Sequence, residues 1–438
     1  MNEINSNELK ESLLEYGNSA GQAAVKVPAA FSGLRKNALE KFSDLGFPTV
    51  KNEEWRFTNV LQAMKYRYVP SIFDGAGEVV LPDVSRFIIP DLKANLLVFI
   101  NGVFSERLSS IIDKKNIVIG SVNQIGEAAG HVEDLNITNG FSALNQAMFS
   151  DGAYIMIPDN SVPEHPVHLL FISGHEYTPL LVQPRNVIIA GKNSQSVVIE
   201  SYHSMYSTPY LFNAISSIRM DDYAIMDYYK IQNEQDNIIH INRTDVTEGQ
   251  SSVFNSSVFT FGGQMIRNDL DTRFTARYAE AHYYGLYLTE GSRHIDNHTL
   301  IDHAVPECHS NELYKGIMDD DSRAVFNGKV IVRKDAQKTL AYQSNKNLLL
   351  SKGARVNTKP QLEIFADDVK CSHGATVGRL DDEALFYLVS RGIGRNTARS
   401  ILINAFAGDI VDRIKLEPLR GKLSSEILER LHNLKFSN

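Results

Sequence analysis

The chain has 438 residues, of which 43% are hydrophobic and 22% charged, and its formal net charge is -8. This composition is typical of a soluble globular protein of two or three domains. It argues against a general nucleic-acid-binding protein, because phosphate binding requires a concentrated basic surface. Two cysteines exclude a disulfide framework, and the apolar runs are too short to span a membrane. Because its polar first residues do not resemble a signal peptide, we expect a cytoplasmic protein.

Helical periodicity marks the chain from Ser6 to about Tyr68, where Gly46 and Pro48 end one of the helices. The apolar positions at helical spacing in that helix are Leu34, Ala38, Leu39, Phe42 and Leu45. The only tryptophan, Trp55, follows in the segment EEWRFT. We interpret it as a packing anchor, which is the commonest role of a lone tryptophan.

From Leu96 to Phe365 the pattern changes to short β-branched and aromatic runs separated by turn signals. Only Val122 to Ala129 and Phe141 to Phe149 look helical within this region. Parallel strands normally require helical crossovers, so the region forms either an antiparallel sheet or a coiled β-helix. No strict hexapeptide repeat is present, but the unbroken length favours an irregular β-helix over a large antiparallel fold.

The sequence becomes helical again after Leu380. Asp381 can cap the first of these helices, and Arg391 with Gly392 closes it. A second helix carries a predicted apolar stripe, and Ser424 can cap a third. The stripe consists of Ala398, Ile401, Leu402, Ala405, Phe406 and Ile410. We therefore predict three parts: residues 1–95, a helical domain; residues 96–378, the β-helix core; and residues 379–438, a second helical domain.

At the junction between the last strand and these helices, Cys371 lies two residues before His373. In an extended segment, residues i and i+2 point to the same face. Thiolate and imidazole together suit zinc, iron or copper, but two ligands do not complete a site. The alternative is a buried structural thiol beside a hydrogen-bonded histidine.

A second group of histidines lies in the segment RHIDNHTLIDHAVPECHSNE. Its candidate ligands are His294, His298, His303, Cys308 and His309. On a strand, the first two of these histidines would be about 13 Å apart, at ~3.3 Å per residue, which is too far for one metal ion. A structural or interface role is therefore favoured over a self-contained metal site.

Known catalytic motifs are absent: the chain has no phosphate-binding GxxxxGK[ST], no GxSxG and no HExxH. Acidic residues at strand ends leave open a carbohydrate-active β-helix enzyme whose cleft is lined by aspartate, arginine and aromatic side chains. These residues are Asp221, Asp222, Asp319, Asp320 and Asp321. Turn propensity explains them more simply.

The segment from Phe326 to Ile393 resembles the signature region of the SufB/SufD family of iron-sulfur cluster assembly proteins. It contains FNG, DAQKT, QSN, LLLS, C-HGA and DE-LFYL-SRG in one register. Weaker matches are EEWRFT at Glu53 to Thr58 and DNHT at Asp296 to Thr299. The length and the form CSHGATVG point to the shorter of the two paralogues of the family.

The resemblance implies a right-handed parallel β-helix core flanked by N-terminal and C-terminal α-helical domains. It also implies a scaffold subunit that is not itself an enzyme. Its partners would be a SufB-like paralogue, bound along the last coils of the β-helix, and a SufC-like ABC ATPase, bound at roughly Leu380 to Ile414. A nascent iron-sulfur cluster, or iron, would be shared transiently with SufB, and the isolated chain would hold no cofactor. An unpaired strand edge also allows a homodimer when SufB is absent.

The resemblance further implies site residues. His373 matches the family histidine implicated as a cluster or iron ligand, and Cys371 matches the cysteine of the same motif. Persulfide chemistry is attributed to SufB, so Cys371 is not assigned as a sulfur acceptor. The candidate contact residues for the ATPase are Asp381, Glu383, Phe386, Arg391, Arg399 and Phe406.

Overall fold

Two long β-sheets dominate the computed structural model, which describes residues 5–20, 32–72, 84–113, 116–125 and 136–433. The helices are α1 (Ser6–Ala20), α2 (Ser32–Leu45), α3 (Val60–Ala63), α4 (Val122–Ile125), α5 (Gly140–Met148), α6 (Asp382–Ser390), α7 (Arg395–Val411) and α8 (Glu417–Asn433). The strands are β1 (Val69–Pro70), β2 (Asn95–Ile100), β3 (Val103–Phe104), β4 (Val118–Ser121), β5 (Ala153–Ile157), β6 (Val167–Ser173), β7 (Leu180–Val182), β8 (Arg185–Ala190), β9 (Gln195–Ser204), β10 (Tyr210–Met220), β11 (Ile225–Asn233), β12 (Ile238–Glu248), β13 (Val253–Thr260), β14 (Met265–Phe274), β15 (Glu280–Thr289), β16 (His294–His303), β17 (His309–Met318), β18 (Arg323–Val332), β19 (Thr339–Leu349), β20 (Arg355–Ile364) and β21 (Val369–Gly378).

The strands coil as a parallel β-helix. From β8 onward, each strand pairs in parallel with the strand two positions later in the chain, so that successive strands alternate between two sheets. Sheet A has 11 strands and ends at β20, whereas sheet B has 10 strands and ends at β21. Antiparallel pairs among the named strands of the described ranges occur only between β2 and β3 and between β4 and β5. The predicted β-helix is confirmed, and the antiparallel alternative is wrong.

The interior of the β-helix is filled by residues at alternate positions of each strand. Aromatic rings stack from coil to coil, as in Phe99 and Phe171, whose centroids are 4.7 Å apart, and in Phe171 and Tyr202 at 4.9 Å. Polar groups also lie inside: Nζ of Lys230 is 3.5 Å from Oε1 of Glu200. Buried charges of this kind are tolerated because they are paired.

The amino-terminal helices pack with α5 against the outer face of sheet A. Leu13 of α1 and Phe42 of α2 share a buried cluster with Phe141 of α5 and with Ile239 of β12. The predicted helix that ends at Gly46 and the predicted helix Phe141 to Phe149 are confirmed as α2 and α5. Of the predicted helix Val122 to Ala129, the first four residues form α4. Residues 126–129 lie outside the described residues.

Trp55 lies in the middle of this packing. Its ring is 3% exposed and stacks on Phe141, with 5.6 Å between centroids. On the other side, the guanidinium carbon of Arg267 lies 3.9 Å from the centre of the Trp55 ring. The interpretation of this residue as a packing anchor is therefore confirmed, with an arginine as its unexpected partner.

The carboxy-terminal helices cover the outer face of sheet B. The buried residues of α7 include Ile403, Ala407 and Ile410. They pack on sheet B residues such as Phe259 and Ile317. The predicted stripe is therefore wrong for Ile401 and Ala405, because the sequence does not reveal which side of an apolar helix meets the sheet, whereas Ala398 and Ile410 are buried and Phe406 packs against the same cluster. Ile401 and Ala405 are exposed, and Leu402 and Phe406 are half-buried.

Two further observations concern these helices. The third helix begins at Glu417, so the prediction that Ser424 caps it is wrong. By contrast, α6 has the predicted termini: Asp381 accepts hydrogen bonds from the backbone of Glu383 and Ala384, and Gly392 has a positive φ. Among the helices of the described ranges, none combines the length and apolarity that a membrane crossing requires.

Candidate functional site

Among the residues that the structure describes, no further coil stacks on the last coil of the β-helix. β20 pairs only with β18 on one side, and β21 pairs only with β19, so each ends its sheet. Inward-facing positions that are buried in the preceding coil are half-buried or exposed in this one. An unpaired strand edge presents a row of free N–H and C=O groups, and repeat folds normally cover such an end.

Cys371 and His373 both face the interior side of this open coil. In the parallel register, Cys371 lies beside Ala341 and His373 lies beside Gln343. Both partners are buried, whereas Tyr342 between them is 41% exposed on the outer face. The i, i+2 spacing therefore places the thiol and the imidazole on one face, the interior face, of the terminal strand.

The two side chains differ in exposure. Cys371 is half-buried against an apolar cluster that includes Val330, Ala341 and Leu362. This burial raises the pKa of its thiol, so the protonated form predominates at neutral pH. His373 is exposed. Because the thiolate is the reactive form of cysteine, the environment of Cys371 does not favour nucleophilic sulfur chemistry in the isolated chain.

A metal or cluster cargo would find an incomplete set of ligands here. Cys371 and His373 offer one sulfur and one nitrogen, whereas tetrahedral sites need four ligands. Across the part of the chain that the structure describes, no group of three or more His, Cys, Asp or Glu side chains could hold a metal ion. The donor types suit iron or an iron-sulfur cluster, and the pair alone does not complete a site.

The second histidine group does not form a common site. His303 and Cys308 are buried, with His303 Nε2 2.9 Å from Ser310 Oγ and Cys308 Sγ 3.4 Å from the carbonyl oxygen of Ala276. His309 lies against the rings of His282 and Tyr342. A structural role, favoured over ligation from the sequence, agrees with these contacts.

His294 and His298 instead fasten the amino-terminal region to sheet A. Thr58 Oγ1 is 2.9 Å from Nε2 of His294 and donates to Asp296 Oδ2 over 2.5 Å. His298 lies between two carboxylates, 2.9 Å from Asp296 and 3.5 Å from Glu54. The segments EEWRFT and DNHT, which are far apart in the sequence, therefore meet in one network, in which Asp296 is buried and Glu54 is at the surface.

The network changes the acidity of its members. Burial alone would raise the pKa of Asp296, but the positive charges of His298 and Arg267 hold it well below the usual range. Burial would lower the pKa of His298, but Asp296 outweighs this effect and raises it. Arg267 Nη1 is 2.9 Å from the Asp296 carboxylate. The sequence did not predict that EEWRFT and DNHT meet, although both segments were noted as family matches.

A cleft of about 470 Å³ opens beside this network on the outer face of sheet A. Arginine, aspartate and Trp55 line it, which is the combination expected of a carbohydrate-active enzyme. Its carboxylates are already engaged: Asp269 is 2.8 Å from Arg267, and Asp271 is 3.3 Å from Arg243. Because both faces of Trp55 are covered, this cleft offers no aromatic platform for a sugar.

The residues assigned to an ATPase contact lie on α6 and α7 or next to them. Phe386 is 73% exposed, and the guanidinium carbon of Arg391 lies 5.2 Å from the ring centre of Tyr387, which is 58% exposed. Asp381 and Glu383 are exposed at the start of α6.

The two candidate residues on α7 are less accessible. Arg399 and Phe406 are half-buried. Nζ of Lys315 lies 4.3 Å from the ring centre of Phe406 and donates to its carbonyl oxygen. Phe406 is thus engaged mainly with the β-helix, whereas α6 presents the open apolar surface.

Comparison with known proteins places this architecture in a family. Residues 171–406 match the model "SUF system FeS cluster assembly, SufBD core domain", and residues 15–169 match the SufBD protein N-terminal region. The SufBD family protein slr0076 of Synechocystis is 35% identical over 409 residues, covering 89% of this chain and 88% of that protein. The iron-sulfur cluster assembly protein SufD of Escherichia coli is 30% identical over 397 residues, covering 90% and 91%. SufD of Bacillus subtilis is 27% identical over 432 residues, covering 92% and 94%. The chain therefore belongs to the SufBD family of iron-sulfur cluster assembly proteins.

Proposed function

We propose that this chain is a non-catalytic, SufD-like scaffold subunit that acts in the cytoplasm. It pairs with a SufB-like paralogue through the open end of its β-helix and recruits a SufC-like ATPase through its carboxy-terminal helices. The iron-sulfur cluster is cargo, held between the two paralogues during assembly and then passed on. The energy comes from ATP hydrolysis by the partner, which is consistent with the absence of a phosphate-binding loop from this sequence.

One observation carries the proposal: an incomplete pair of soft ligands lies on an unpaired terminal strand. β-Augmentation by a partner strand satisfies the free backbone groups of β20 and β21. The same docking brings new side chains to Cys371 and His373, which supply two ligands from this chain. A site divided between two chains can be opened or closed when the chains move.

The surface of α6 supports the second contact. Phe386 and Tyr387 are exposed on this helix, and aromatic residues dominate the binding energy of many protein interfaces. Because α7 contributes to the buried cluster on sheet B while α6 does not, a partner bound to α6 would move relative to the β-helix at limited cost in buried contacts. This arrangement suits an ATPase that changes shape during its cycle.

Reconstitution with both partners tests the proposal. The chain is combined with a SufB-like paralogue, a SufC-like ATPase, iron and a sulfur donor, and cluster formation is followed by visible absorbance and iron content. We expect His373→Ala to lower the cluster yield severalfold while the complex still assembles. Ser372→Ala, on the outer face of the same strand, is the matched control and should leave the yield unchanged. An equal yield from the His373→Ala complex would remove the ligand role.

The isolated chain is expected to behave differently from the complex. Without the paralogue, the open ends of two copies can pair, which predicts a homodimer that dissociates when the paralogue is added. Size-exclusion chromatography with light scattering distinguishes these states. A monomer that binds neither itself nor the paralogue would contradict the proposed role of the terminal strands.

A further inference from the structure

A column of inward-facing side chains leads from the core of the β-helix to His373. Tyr283, Glu312, Gln343 and His373 are successive register partners in β15, β17, β19 and β21. The first three are buried. In-register side chains of a parallel sheet stack at the strand spacing, about 4.8 Å, so His373 lies directly over Gln343.

Only one end of the side-chain amide of Gln343 has a hydrogen-bond partner among the described residues. Its Nε2 donates to Oε2 of Glu312 over 2.6 Å. Its Oε1 is buried and has no hydrogen-bond partner among the described residues. A buried carbonyl without a donor costs about 1–3 kcal/mol, so this oxygen is an acceptor without a donor on the residue that is the register partner of His373.

The opposite wall of the β-helix is shaped to admit Gln343. Gly328 of β18 faces it, and a Cβ at Gly328 would lie 2.2 Å from Nε2 of Gln343. Glycine is required at this place by the amide of Gln343 and by the ring of Phe326, 2.8 Å from the same Cβ position. The FNG, QSN and C-HGA motifs of the sequence therefore converge on one column.

Glu312 gives the amide a fixed orientation. Its carboxyl group is buried, and burial raises its pKa to about 7. In mildly alkaline buffer the carboxylate form therefore predominates, and a carboxylate accepts from the amide N–H₂ and cannot donate to the amide oxygen. Glu312 thus engages Nε2 of Gln343 and leaves Oε1 available to His373, the next residue of the column.

His373 makes no hydrogen bond to Gln343 Oε1 in this structure, but its ring is exposed and can turn about its side-chain torsions. We propose that Gln343 is the positioning residue of His373: in the turned ring, one imidazole N–H donates to Gln343 Oε1, which leaves the lone pair of the other nitrogen free for the shared cargo. A ligand histidine commonly uses its second nitrogen in this way, which fixes its tautomer and ring orientation. The importance of this contact for cluster assembly rests on the proposed function, but the contact itself does not.

The contact is tested first in the isolated chain. The protein is labelled with ¹⁵N-histidine, and the His373 signals are assigned by their loss in His373→Ala. In mildly alkaline buffer, we expect a ring N–H signal of His373 that exchanges slowly with water. A ring N–H that exchanges as fast as that of a free imidazole would overturn the proposal, and this outcome requires no variant of Gln343.

Two substitutions then separate positioning from packing. Gln343→Met keeps the approximate volume and removes the acceptor, whereas Gln343→Glu keeps an oxygen acceptor. We expect the slow ring N–H to be lost in Gln343→Met and retained in Gln343→Glu, with both variants folded by circular dichroism. Retention of the slow N–H in folded Gln343→Met would overturn the assignment.

Cluster yield in the reconstituted complex links the contact to function. We expect Gln343→Met to lower the yield about tenfold, the lower end of the effect of removing such a partner of a ligand histidine. If the N–H signal behaves as expected but neither Gln343→Met nor His373→Ala changes the yield, the proposed function fails and the positioning contact stands. If His373→Ala lowers the yield and the N–H signal is absent, the positioning contact fails alone.

Discussion

Oε2 of Glu54 lies 3.5 Å from Nδ1 of His298, and Nδ2 of Asn327 donates to the same carboxylate oxygen over 3.0 Å. Glu54 belongs to the amino-terminal region, whereas His298 and Asn327 belong to neighbouring strands of sheet A. The amino-terminal helices are therefore tied to the β-helix through charged groups as well as through the apolar cluster around Trp55. Stability measurements should detect both kinds of contact.

Asp296 is the centre of this attachment. Asp296→Asn removes the negative charge that pairs with buried Arg267 and His298, and we expect it to lower the free energy of unfolding by about 3 kcal/mol. Chemical denaturation measures the change. Asp302→Asn on the same strand is the matched control: its partner, Arg333, is 53% exposed, and exposed pairs contribute about 1 kcal/mol or less. Equal effects of the two substitutions would contradict a special role for Asp296.

The attachment should also respond to pH. The pKa of Asp296 is lowered in the folded state, so its contribution is present above the ordinary aspartate pKa of about 3.9 and is lost as the pH falls. The pKa of His298 is raised, so its contribution is complete below the ordinary histidine pKa of about 6.5 and is lost as the pH rises through the raised value.

Denaturation of the wild type and of His298→Gln across this pH range tests the second effect. We expect the stability difference between them to be largest at mildly acidic pH and to shrink in alkaline buffer. A difference that grows with rising pH would show that His298 acts as a neutral group.

Two glycines near the open end allow a paired test of interior packing. Gly328→Ala places a methyl group 2.2 Å from Gln343 and should cost about 1–3 kcal/mol, as overpacking of a core does. At Gly374, next to His373, a Cβ would meet no atom within 4 Å, so Gly374→Ala should leave the melting temperature nearly unchanged. Differential scanning calorimetry measures both, and a neutral Gly328→Ala would mean that Gln343 does not occupy the position described.

The ATPase contact can be tested without removing the carboxy-terminal helices. A truncation after Gly378 would uncover the apolar outer face of sheet B, so a loss of binding would not be specific. We expect Phe386→Asp to abolish co-purification of the SufC-like ATPase without changing the melting temperature. Tyr177→Asp, at a residue that is 78% exposed outside the helical regions, is the matched control. Normal recruitment by Phe386→Asp would exclude α6 as the contact.

Much of the fold follows from the sequence because its determinants are local. Alternating apolar runs with almost no helical crossovers indicate a β-helix, and Asp381 and Gly392 mark the ends of α6. The phase of α7 could not be predicted in this way. Ile401 and Ile403 are equally apolar in the sequence, and only the position of sheet B decides that Ile403 is buried and Ile401 exposed.

The candidate site, too, could be predicted from the sequence only in part. The shared face of Cys371 and His373 follows from the period of a strand, and within the described ranges the fold brings no third ligand to them. The positions of Glu312 and Gln343 beneath His373 depend on the register between coils. Coil lengths in this β-helix vary, so spacing in the sequence does not reveal that register, although Gln343 lies within a recognisable motif.

The central claim is that another polypeptide completes the last coil of the β-helix. Hydrogen–deuterium exchange of the chain alone and with a SufB-like paralogue tests it most directly. We expect strong protection of residues 355–364 and 369–378 on complex formation, because their free N–H groups become paired. Unchanged exchange in these two strands, with protection appearing elsewhere on the chain, would contradict the claim.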